Sequence, residues 1–422
     1  MKFNIKSERL WNDMMEFGQI GRGEDGGVTR TSFDEADMEA RGLFLKLLEK
    51  SGLNPGMDAA GNIFGEITGE DPELPVLLIG SHLDTVRSGG RFDGATGVLM
   101  AVEVLRTMQE NGIKPARTVK IVSFTDEEGA RFDYAFVGSM AATGSVAADE
   151  LQRQLAAAMD GDGISYAEAM RNASHKGGHF SRINPDSLEQ AQIDKAKIKA
   201  YLEVHIEQGK VLENKNLGVG IVSGITGGEW SDVTISGEAG HAGTIGMTER
   251  RDALTAAGEC LLAIESIAKN SGGSVATVGK LEVKPGSSNV IPGRVDFTLD
   301  IRDISDERRN QTSIQIYDAI RDIVAGRGLT CEVTPVQSLS SMISSAMVTE
   351  AMKAAFQEVD YPTYSLPSGA AHDAMVMGNV CEVGMLFVRS KDGISHHPAE
   401  WSSQEDVALG CEILYRTVAG LL

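Results

Sequence analysis

The sequence predicts an α/β protein into which a smaller, ferredoxin-like α+β domain is inserted. Over the first half of the 422 residues, short apolar runs typical of strands alternate with segments of helical spacing, as in a doubly wound α/β layer. Around residue 227 the order changes to β-α-β-β-α-β, the pattern of a split βαβ module. A chain of this length also exceeds one ordinary core, so two domains are expected.

The elements of the first half follow from apolar periodicity. VLLIG (76–80), TVKIVSF (118–124) and IKAYLEVHI (198–206) read as strands, and residues 94–112 place apolar side chains at helical spacing. The polar stretch 145–195 predicts only loops with short helices.

The inserted domain is predicted over 227–339. Its elements are a strand in WSDVTISG, a helix at 250–272, strands at 274–283 and 294–303, a helix at about 307–325, and a last strand in TCEVTPV. A helix near 349–358 and the strand GMLFV then resume the α/β pattern, so residues 1–226 and 340–422 form the other domain.

Composition excludes several classes of function. A formal net charge of −21 argues against nucleic acid or anionic membrane as a partner, since both require a basic surface. No window approaches about 18 continuous apolar residues, and the N-terminus lacks the apolar core of a signal peptide. The four cysteines show no CxxC spacing, which predicts reduced thiols in a cytoplasmic protein.

Several predicted strands end in side chains that bind metals. They are His82 and Asp84 in LLIGSHLDTV, the acids of FTDEEG, and His205 in LEVHIEQG; Asp93 in RFDGATG and the histidines of SHHPAE add to them. An isolated acidic triplet is usually a solvated turn and a lone histidine is usually packed or on the surface. Together, at strand ends that can converge, they predict a metal site. Nitrogen and oxygen ligands suit zinc, manganese or cobalt.

A carboxylate between two metals is common in hydrolases. The neighbouring Glu127 and Glu128 fit this chemistry if one binds metal and the other moves protons. In a regular strand their side chains would face opposite ways. A turn at the strand end must therefore bring both to the site.

The motifs GSHLDTV, GGRFDG, FTDEEGARF, EVHIEQG, GHAGT, SNVIPG, SGAAHDA and GISHHPAE occur in this order. Together they resemble the di-zinc aminoacylase/carboxypeptidase-type family, and within it the amidohydrolase branch of N-carbamoyl-L-amino acid hydrolases, allantoate amidohydrolases and β-ureidopropionases. The resemblance implies a di-metal peptidase-like domain with a mixed sheet flanked by helices. It also implies that the insertion is a lid and the interface of a homodimer.

The resemblance implies two divalent metal ions per subunit, zinc or else manganese, cobalt or nickel. His82, Asp93 and His205 would hold one ion. Asp93, Glu128 and His396 would hold the other, with Asp93 bridging.

The resemblance makes Glu127 the general base, which activates water and protonates the leaving nitrogen. Asp84 would orient the imidazole of His82, although a turn-capping role is the alternative. His397 competes with His396 as a ligand, and the family pattern Ser-His-x-Pro favours His396.

The substrate contacts implied by the resemblance lie partly in the insertion. His241 would polarise the scissile carbonyl, in its own subunit or across the dimer. Arg302 and Asn289 would anchor a substrate carboxylate, although an exposed arginine is often only solvated and an asparagine before a turn is often structural. Gln208 and His372 would line the site.

One segment departs from the family. Residues 244–247 read TIGM, where the family usually has Thr-Pro-Met. Loss of the proline and gain of a glycine should loosen the loop that carries His241, which puts the substrate range in doubt.

The expected function is metal-dependent hydrolysis of the small molecules N-carbamoyl-L-amino acids to the L-amino acid, carbon dioxide and ammonia. Allantoate, β-ureidopropionate or a dipeptide are alternative substrates. A metal-binding protein without turnover is the alternative of another class. The intact Glu127 argues against that alternative, because a binding module needs no base beside its ligands.

Overall fold

The structure, a computed structural model, describes residues 4–422. They divide into two compact units. The first comprises the described chain up to Ser223 together with Ser344–Ser368 and His372–Leu422, and the second comprises Gly224–Ile343 with Gly369–Ala371. The second unit thus starts at 224 rather than 227 and ends at 343 rather than 339. It also takes in residues 369–371, which the sequence patterns did not indicate.

The strands of the described chain are β1 Gly56–Met57, β2 Ile63–Ile67, β3 Val76–His82, β4 Val119–Phe124, β5 Ile198–Ile206, β6 Val219–Ile225, β7 Gly227–Ser236, β8 Gly240–His241, β9 Val275–Thr277, β10 Leu281–Lys284, β11 Val290–Ile291, β12 Arg294–Asp303, β13 Thr330–Leu339, β14 Met342–Ile343, β15 Ser365–Ser368 and β16 Glu382–Val388.

The α-helices are α1 Ser7–Phe17, α2 Glu35–Lys50, α3 Ala95–Glu110, α4 Val137–Thr143, α5 Ala148–Ala157, α6 Tyr166–Ser174, α7 Val211–Asn214, α8 Ala253–Asn270, α9 Asp306–Gly326, α10 Ala346–Glu358, α11 Asp373–Met377 and α12 Gln404–Leu421. Short 3-10 turns occupy Gly178–Arg182, Pro185–Ala191, Lys195–Lys197, Met247–Glu249 and Lys391–Gly393.

The first unit is built on a mixed sheet with the strand order β1-β2-β4-β3-β5-β16-β6. β4, β3, β5 and β16 are parallel to their neighbours in this order, whereas β2 and β6 pair antiparallel at either side of them. The parallel strands are buried along nearly their whole length, because helices such as α3 and α12 cover the sheet. The prediction of an α/β domain with a mixed sheet flanked by helices is confirmed.

The second unit contains an antiparallel sheet of order β10-β12-β7-β13, with β9 beside the far end of β12. Apolar side chains of β12 alternate with polar ones and form a core with α8 and α9. This order of strands and helices matches the split βαβ pattern. The segment 274–283 is two strands rather than one, since β9 and β10 pair with different ends of β12, and β8 with β11 forms a small extra ladder.

Several elements of the first unit had no sequence-based assignment, among them α1, α2, β6 and α12. Those that were predicted agree within a few residues, and β5 agrees at both ends. Within residues 4–422, no helix combines the length and the apolar character needed to cross a bilayer.

Candidate metal centre and active site

The candidate site lies at one edge of the first unit's sheet. Because β3, β4, β5 and β16 are parallel, their carboxyl ends meet at the same edge. His82 ends β3, the acidic triplet follows β4, and His205 is the penultimate residue of β5. The loop after β16 carries His396. The fold therefore brings together side chains that are up to about 300 residues apart in the chain.

The turn after β4 explains how adjacent glutamates reach one site. Asp126 has a φ of 57°, in the left-handed region that non-glycine residues rarely adopt. This reverses the alternation of a strand, so Glu127 and Glu128 both belong to a ligand group with His82. The imidazole of His82 also packs closely against the backbone at Gly94, where a Cβ would lie 2.3 Å from the ring. Only a glycine leaves room for the ring at this position.

His82, Asp93 and His205 form the first candidate ligand group. The Nε2 atoms of the two histidines are 3.4 Å apart, and His205 Nε2 lies 3.0 Å from Asp93 Oδ1. Ligands of one tetrahedral zinc ion, each bound at about 2.0–2.1 Å, are about 3.4 Å apart. The separation of the two nitrogens therefore fits a shared metal ion.

Asp93, Glu128 and His396 form the second group. His396 Nε2 lies 3.1 Å from Asp93 Oδ2 and 3.4 Å from Glu128 Oε1. The two carboxylate oxygens of Asp93 thus face different ligand groups, as a bridging ligand requires. The hydrogen bond with Asp93 raises the pKa of His396 to about 9.

Glu127 lies beside both groups without a close partner for its carboxylate. Its oxygens are 3.8 Å from His82 Nε2 and 3.9 Å from His372 Nδ1, which is too far for hydrogen bonds. Burial, and then the charges of Glu128 and Asp373, raise the pKa of Glu127 well above its usual value. A carboxyl group of this kind, next to metal ligands, is suited to moving protons.

Asp84 does not hold His82 in the way the sequence suggested. The Nδ1 of His82 lies 3.1 Å from the backbone carbonyl of Asp84 and 3.7 Å from its carboxylate. The carboxylate instead accepts the backbone N–H groups of Glu127 and Glu128, at 3.3 and 3.1 Å. Asp84 thus orients the imidazole through its backbone and the acidic turn through its side chain.

Gln208 Oε1 and His372 Nδ1 are among the buried polar atoms at this edge that lack a hydrogen-bond partner within residues 4–422. Gln208 Nε2 donates to Asp93 Oδ2 at 3.1 Å, and the ring of His372 packs against His205 at a centroid distance of 4.3 Å. Unpaired buried polar atoms are rare in folded proteins. Their presence beside convergent ligands fits a site completed by metal ions and substrate.

Glu400 is a residue of this edge that sequence reasoning missed. Its carboxylate accepts the backbone N–H groups of Phe92 and Asp93, at 2.9 and 3.1 Å. It also accepts the hydroxyl of Ser395 at 3.3 Å, and it is 2% exposed. Glu400 therefore links the loop of Asp93 to the loop of His396. Its place in the HHPAE motif was the available signal, but no spacing rule connects it to residues some 300 positions away.

Three predicted substrate contacts lie in the second unit: His241 in β8, the exposed Asn289, and Arg302 in β12. The backbone N–H of Ala242 donates to the Asn289 carbonyl at 3.0 Å, which ties the two loops together. His397 lies outside the candidate ligand groups of the described chain. Its Nδ1 accepts the N–H of Ala399 at 3.1 Å.

Two hydrogen bonds from one arginine side chain restrain the loop after His241, which the sequence did not indicate. Arg250 donates to the carbonyls of Ala242 and Ile245, at 2.6 and 3.1 Å. These bonds restrain the segment in which the family's proline is replaced. They run against the expectation of a loosened loop.

The sequence and the fold match one family throughout. The model of peptidase family M20/M25/M40 matches residues 78–420. The chain is 44% identical to an N-carbamoyl-L-amino acid amidohydrolase of Geobacillus stearothermophilus, over 98% of both chains. It is 34% identical to a ureidoglycolate hydrolase of Arabidopsis thaliana, over 99% of this chain and 87% of that one.

Among solved structures, a hydantoinase/carbamoylase family amidase from Burkholderia ambifaria superposes with a TM-score of 0.89 at 32% identity, covering 99% of this chain and 98% of the other. The chain belongs to peptidase family M20/M25/M40, in the branch of hydantoinase/carbamoylase amidases.

Proposed function

We propose that the protein hydrolyses N-carbamoyl-L-amino acids to the L-amino acid, carbon dioxide and ammonia, with two divalent metal ions at the edge formed by β3, β4, β5 and β16. The observation that carries the proposal is the position of Asp93, whose two carboxylate oxygens face two different ligand groups. Glu127 lies beside both groups. The relative from Geobacillus stearothermophilus, matched over nearly the full length, supports this substrate class.

His82 and His205 would hold one ion together with Asp93, and Glu128 and His396 would hold the other together with Asp93. When bound, the ions lower the pKa of water and polarise the scissile carbonyl. Glu127 accepts the proton of the attacking water and passes it to the leaving nitrogen. Glu400 and the carboxylate of Asp84 keep the ligand loops in place for this chemistry.

The second unit supplies recognition. His241 stabilises the developing oxyanion, and Arg302 with Asn289 binds the substrate carboxylate, while Gln208 and His372 line the reacting end of the substrate. An arginine is needed for this because the chain carries a net charge of −21.

The second unit also acts as the lid and the homodimer contact in this proposal. Leu262 on α8 and Val275 on β9 are apolar side chains available for such a contact, since they are 70% and 60% exposed. Zinc, manganese, cobalt and nickel all suit the ligands. A cytoplasmic location is supported by the four free cysteines.

A second candidate substrate is ureidoglycolate, because a relative that is 34% identical over 99% of this chain bears the name ureidoglycolate hydrolase. This compound also pairs a ureido group with a carboxylate. Allantoate and β-ureidopropionate share both groups, so the pocket around the substrate side chain decides among them.

Ammonia release by the purified protein tests the proposal, after metal removal and after addition of manganese, zinc or cobalt. The substrates are N-carbamoyl-L-methionine, its D-enantiomer, ureidoglycolate, allantoate and β-ureidopropionate. A dipeptide is also tested, and its hydrolysis is measured by the release of amino groups. We expect metal-dependent turnover of the L-carbamoyl compound. Faster turnover of another ureido acid would make that compound the substrate and leave the assignment of the site unchanged. No turnover with metal bound would contradict the proposal.

A further inference from the structure

Arg302 is held on three sides within the second unit. We infer that Asp300 is a positioning residue which, with Trp230 and the Gly369 carbonyl, presets the guanidinium of Arg302 to receive a single planar carboxylate. This rests on the proposed function and extends it, because it makes the geometry of the arginine, rather than its charge, the source of selectivity.

Asp300 holds the first side. Two residues apart on β12, Asp300 and Arg302 share the polar face of the strand. Arg302 Nε donates to Asp300 Oδ1 at 3.0 Å and Nη2 donates to Oδ2 at 2.9 Å. Paired parallel bonds of this kind fix the plane of a guanidinium.

Trp230 holds the second side. On the neighbouring β7, Trp230 lies opposite Asp300, and Gly228 lies opposite Arg302. The indole ring reaches over Gly228, where a Cβ would approach Trp230 Cη2 to 2.3 Å. The guanidinium carbon of Arg302 lies 5.4 Å from the ring centroid, within the range of a cation–π contact. The glycine therefore makes room for the ring on which the arginine rests.

The Gly369 carbonyl holds the third side, accepting from Arg302 Nη1 at 2.9 Å. A guanidinium has five N–H donors, and these contacts use the one on Nε, one on Nη2 and one on Nη1. One N–H is left on each terminal nitrogen. Two donors match the two oxygens of one carboxylate.

The charge balance points the same way. Asp300 already offsets the charge of Arg302, so attraction alone selects weakly among anions. A carboxamide offers one acceptor and places its own N–H groups against a donor, which leaves polar groups unpaired. The cradle, defined as Asp300, Trp230 and the Gly369 carbonyl, should therefore reject carboxamides strongly.

The test compares kcat and KM for N-carbamoyl-L-methionine and its carboxamide in the metal-loaded wild type, Asp300→Ala, Asp300→Asn and Trp230→Leu. The same proteins are titrated by calorimetry with L-methionine and L-methioninamide, which need no turnover. The matched control is Asp296→Asn, which removes an ion pair four residues away on the same strand face.

We expect Asp300→Ala to raise KM for the carboxylate about tenfold or more, from the loss of charged hydrogen bonds, with kcat changed little and the carboxamide unaffected. Asp300→Asn should restore part of the loss, because its amide oxygen still accepts one N–H. Trp230→Leu should raise KM for the carboxylate as Asp300→Ala does. The control Asp296→Asn should leave KM unchanged for both the carboxylate and the carboxamide.

A lower KM in Asp300→Ala would show that Asp300 only weakens the charge of Arg302, and equal losses for both substrates would show a merely structural role. Either result overturns the inference. Failure of the proposed function would appear separately, as a wild type without carbamoyl turnover. The calorimetric preference for L-methionine over its amide, and its loss in Asp300→Ala, would still decide the role of the cradle.

Discussion

Carboxylates at the strand edge of the first unit and carboxylates on β12 of the second unit are partnered in opposite ways. Asp303 accepts from Arg308 and Ser274, and Asp296 accepts from Arg294 and Lys284. Within residues 4–422, no lysine or arginine forms an ion pair with Asp93, Glu127 or Glu128.

The pKa directions express this difference. Burial, and then the charge of Asp93, raise the pKa of Glu128 well above its usual value. Bonds from Arg294 hold the pKa of Asp296 below its usual value, and for Asp303 the bonds from Arg308 and Ser274 outweigh burial in the same direction. A buried cluster of acids with only histidines nearby calls for cations from outside the chain. Asp296 and Asp303, in contrast, already pair with cationic side chains of their own unit.

The largest expected effect is at Glu127. Glu127→Gln should lower kcat about 10²–10⁴-fold, the usual contribution of a general base, while the metal content stays that of the wild type. Ammonia release and elemental analysis of the same sample measure both. Unchanged turnover would remove Glu127 from the chemistry, and loss of metal would make it a ligand instead.

Glu400 tests whether the edge depends on its supporting bonds. Glu400→Ala should weaken metal binding about 10–100-fold, the usual cost of removing a group that orients ligands, as measured by competition with a chelator. The matched control is Glu412→Ala. Glu412 is likewise buried and accepts two backbone N–H groups, those of Asn4 and Ile5. Equal loss of metal in both variants would assign the effect of Glu400 to general destabilisation.

Asp303 tests the second unit. Asp303→Asn should lower the free energy of unfolding by about 2–3 kcal/mol, since it weakens several bonds to a buried charge, without changing the metal content. Because the folded pKa of Asp303 is depressed, its contribution is present above the unfolded pKa of about 3.9 and is lost as the pH falls below it. Urea denaturation at pH 7 and at about pH 3, below the unfolded pKa, measures this. A difference between wild type and variant that grows toward low pH would be the wrong sign.

The smallest effect belongs to Asp296, whose partners Arg294 and Lys284 are about half exposed. Asp296→Asn should cost only about 0.5 kcal/mol, because water and salt screen such pairs. The loss should shrink further in 1 M salt. A loss as large as that of Asp303→Asn would mean that burial does not govern these pairs.

Local patterns were sufficient for much of the fold and of the candidate site. The parallel strands and the residues that follow them were predictable because each is marked by a short apolar run and an adjacent polar motif. The common sheet edge then follows from strand direction alone. His82, Asp93, Glu128, His205 and His396 were proposed as ligands from their motifs, and the structure brings them together.

Contacts between distant segments were not predictable. The bonds of Glu400 to the loop of Asp93, the bond of Arg302 to the Gly369 carbonyl and the membership of residues 369–371 in the second unit depend on how loops pack. The same is true of Asp84, whose carboxylate turns to the backbone of Glu127 and Glu128 because the positive φ of Asp126 brings those N–H groups within reach.

Metal stoichiometry tests the central claim most directly, that two external cations complete the acidic edge of the first unit. Protein stripped with a chelator is dialysed against buffered manganese or zinc and its bound metal is counted, for the wild type and for Asp93→Asn. Because Asp93 belongs to both ligand groups, we expect about two ions per chain in the wild type and fewer than one in the variant. A wild type that binds one ion or none, or a variant that still binds two, would contradict the account.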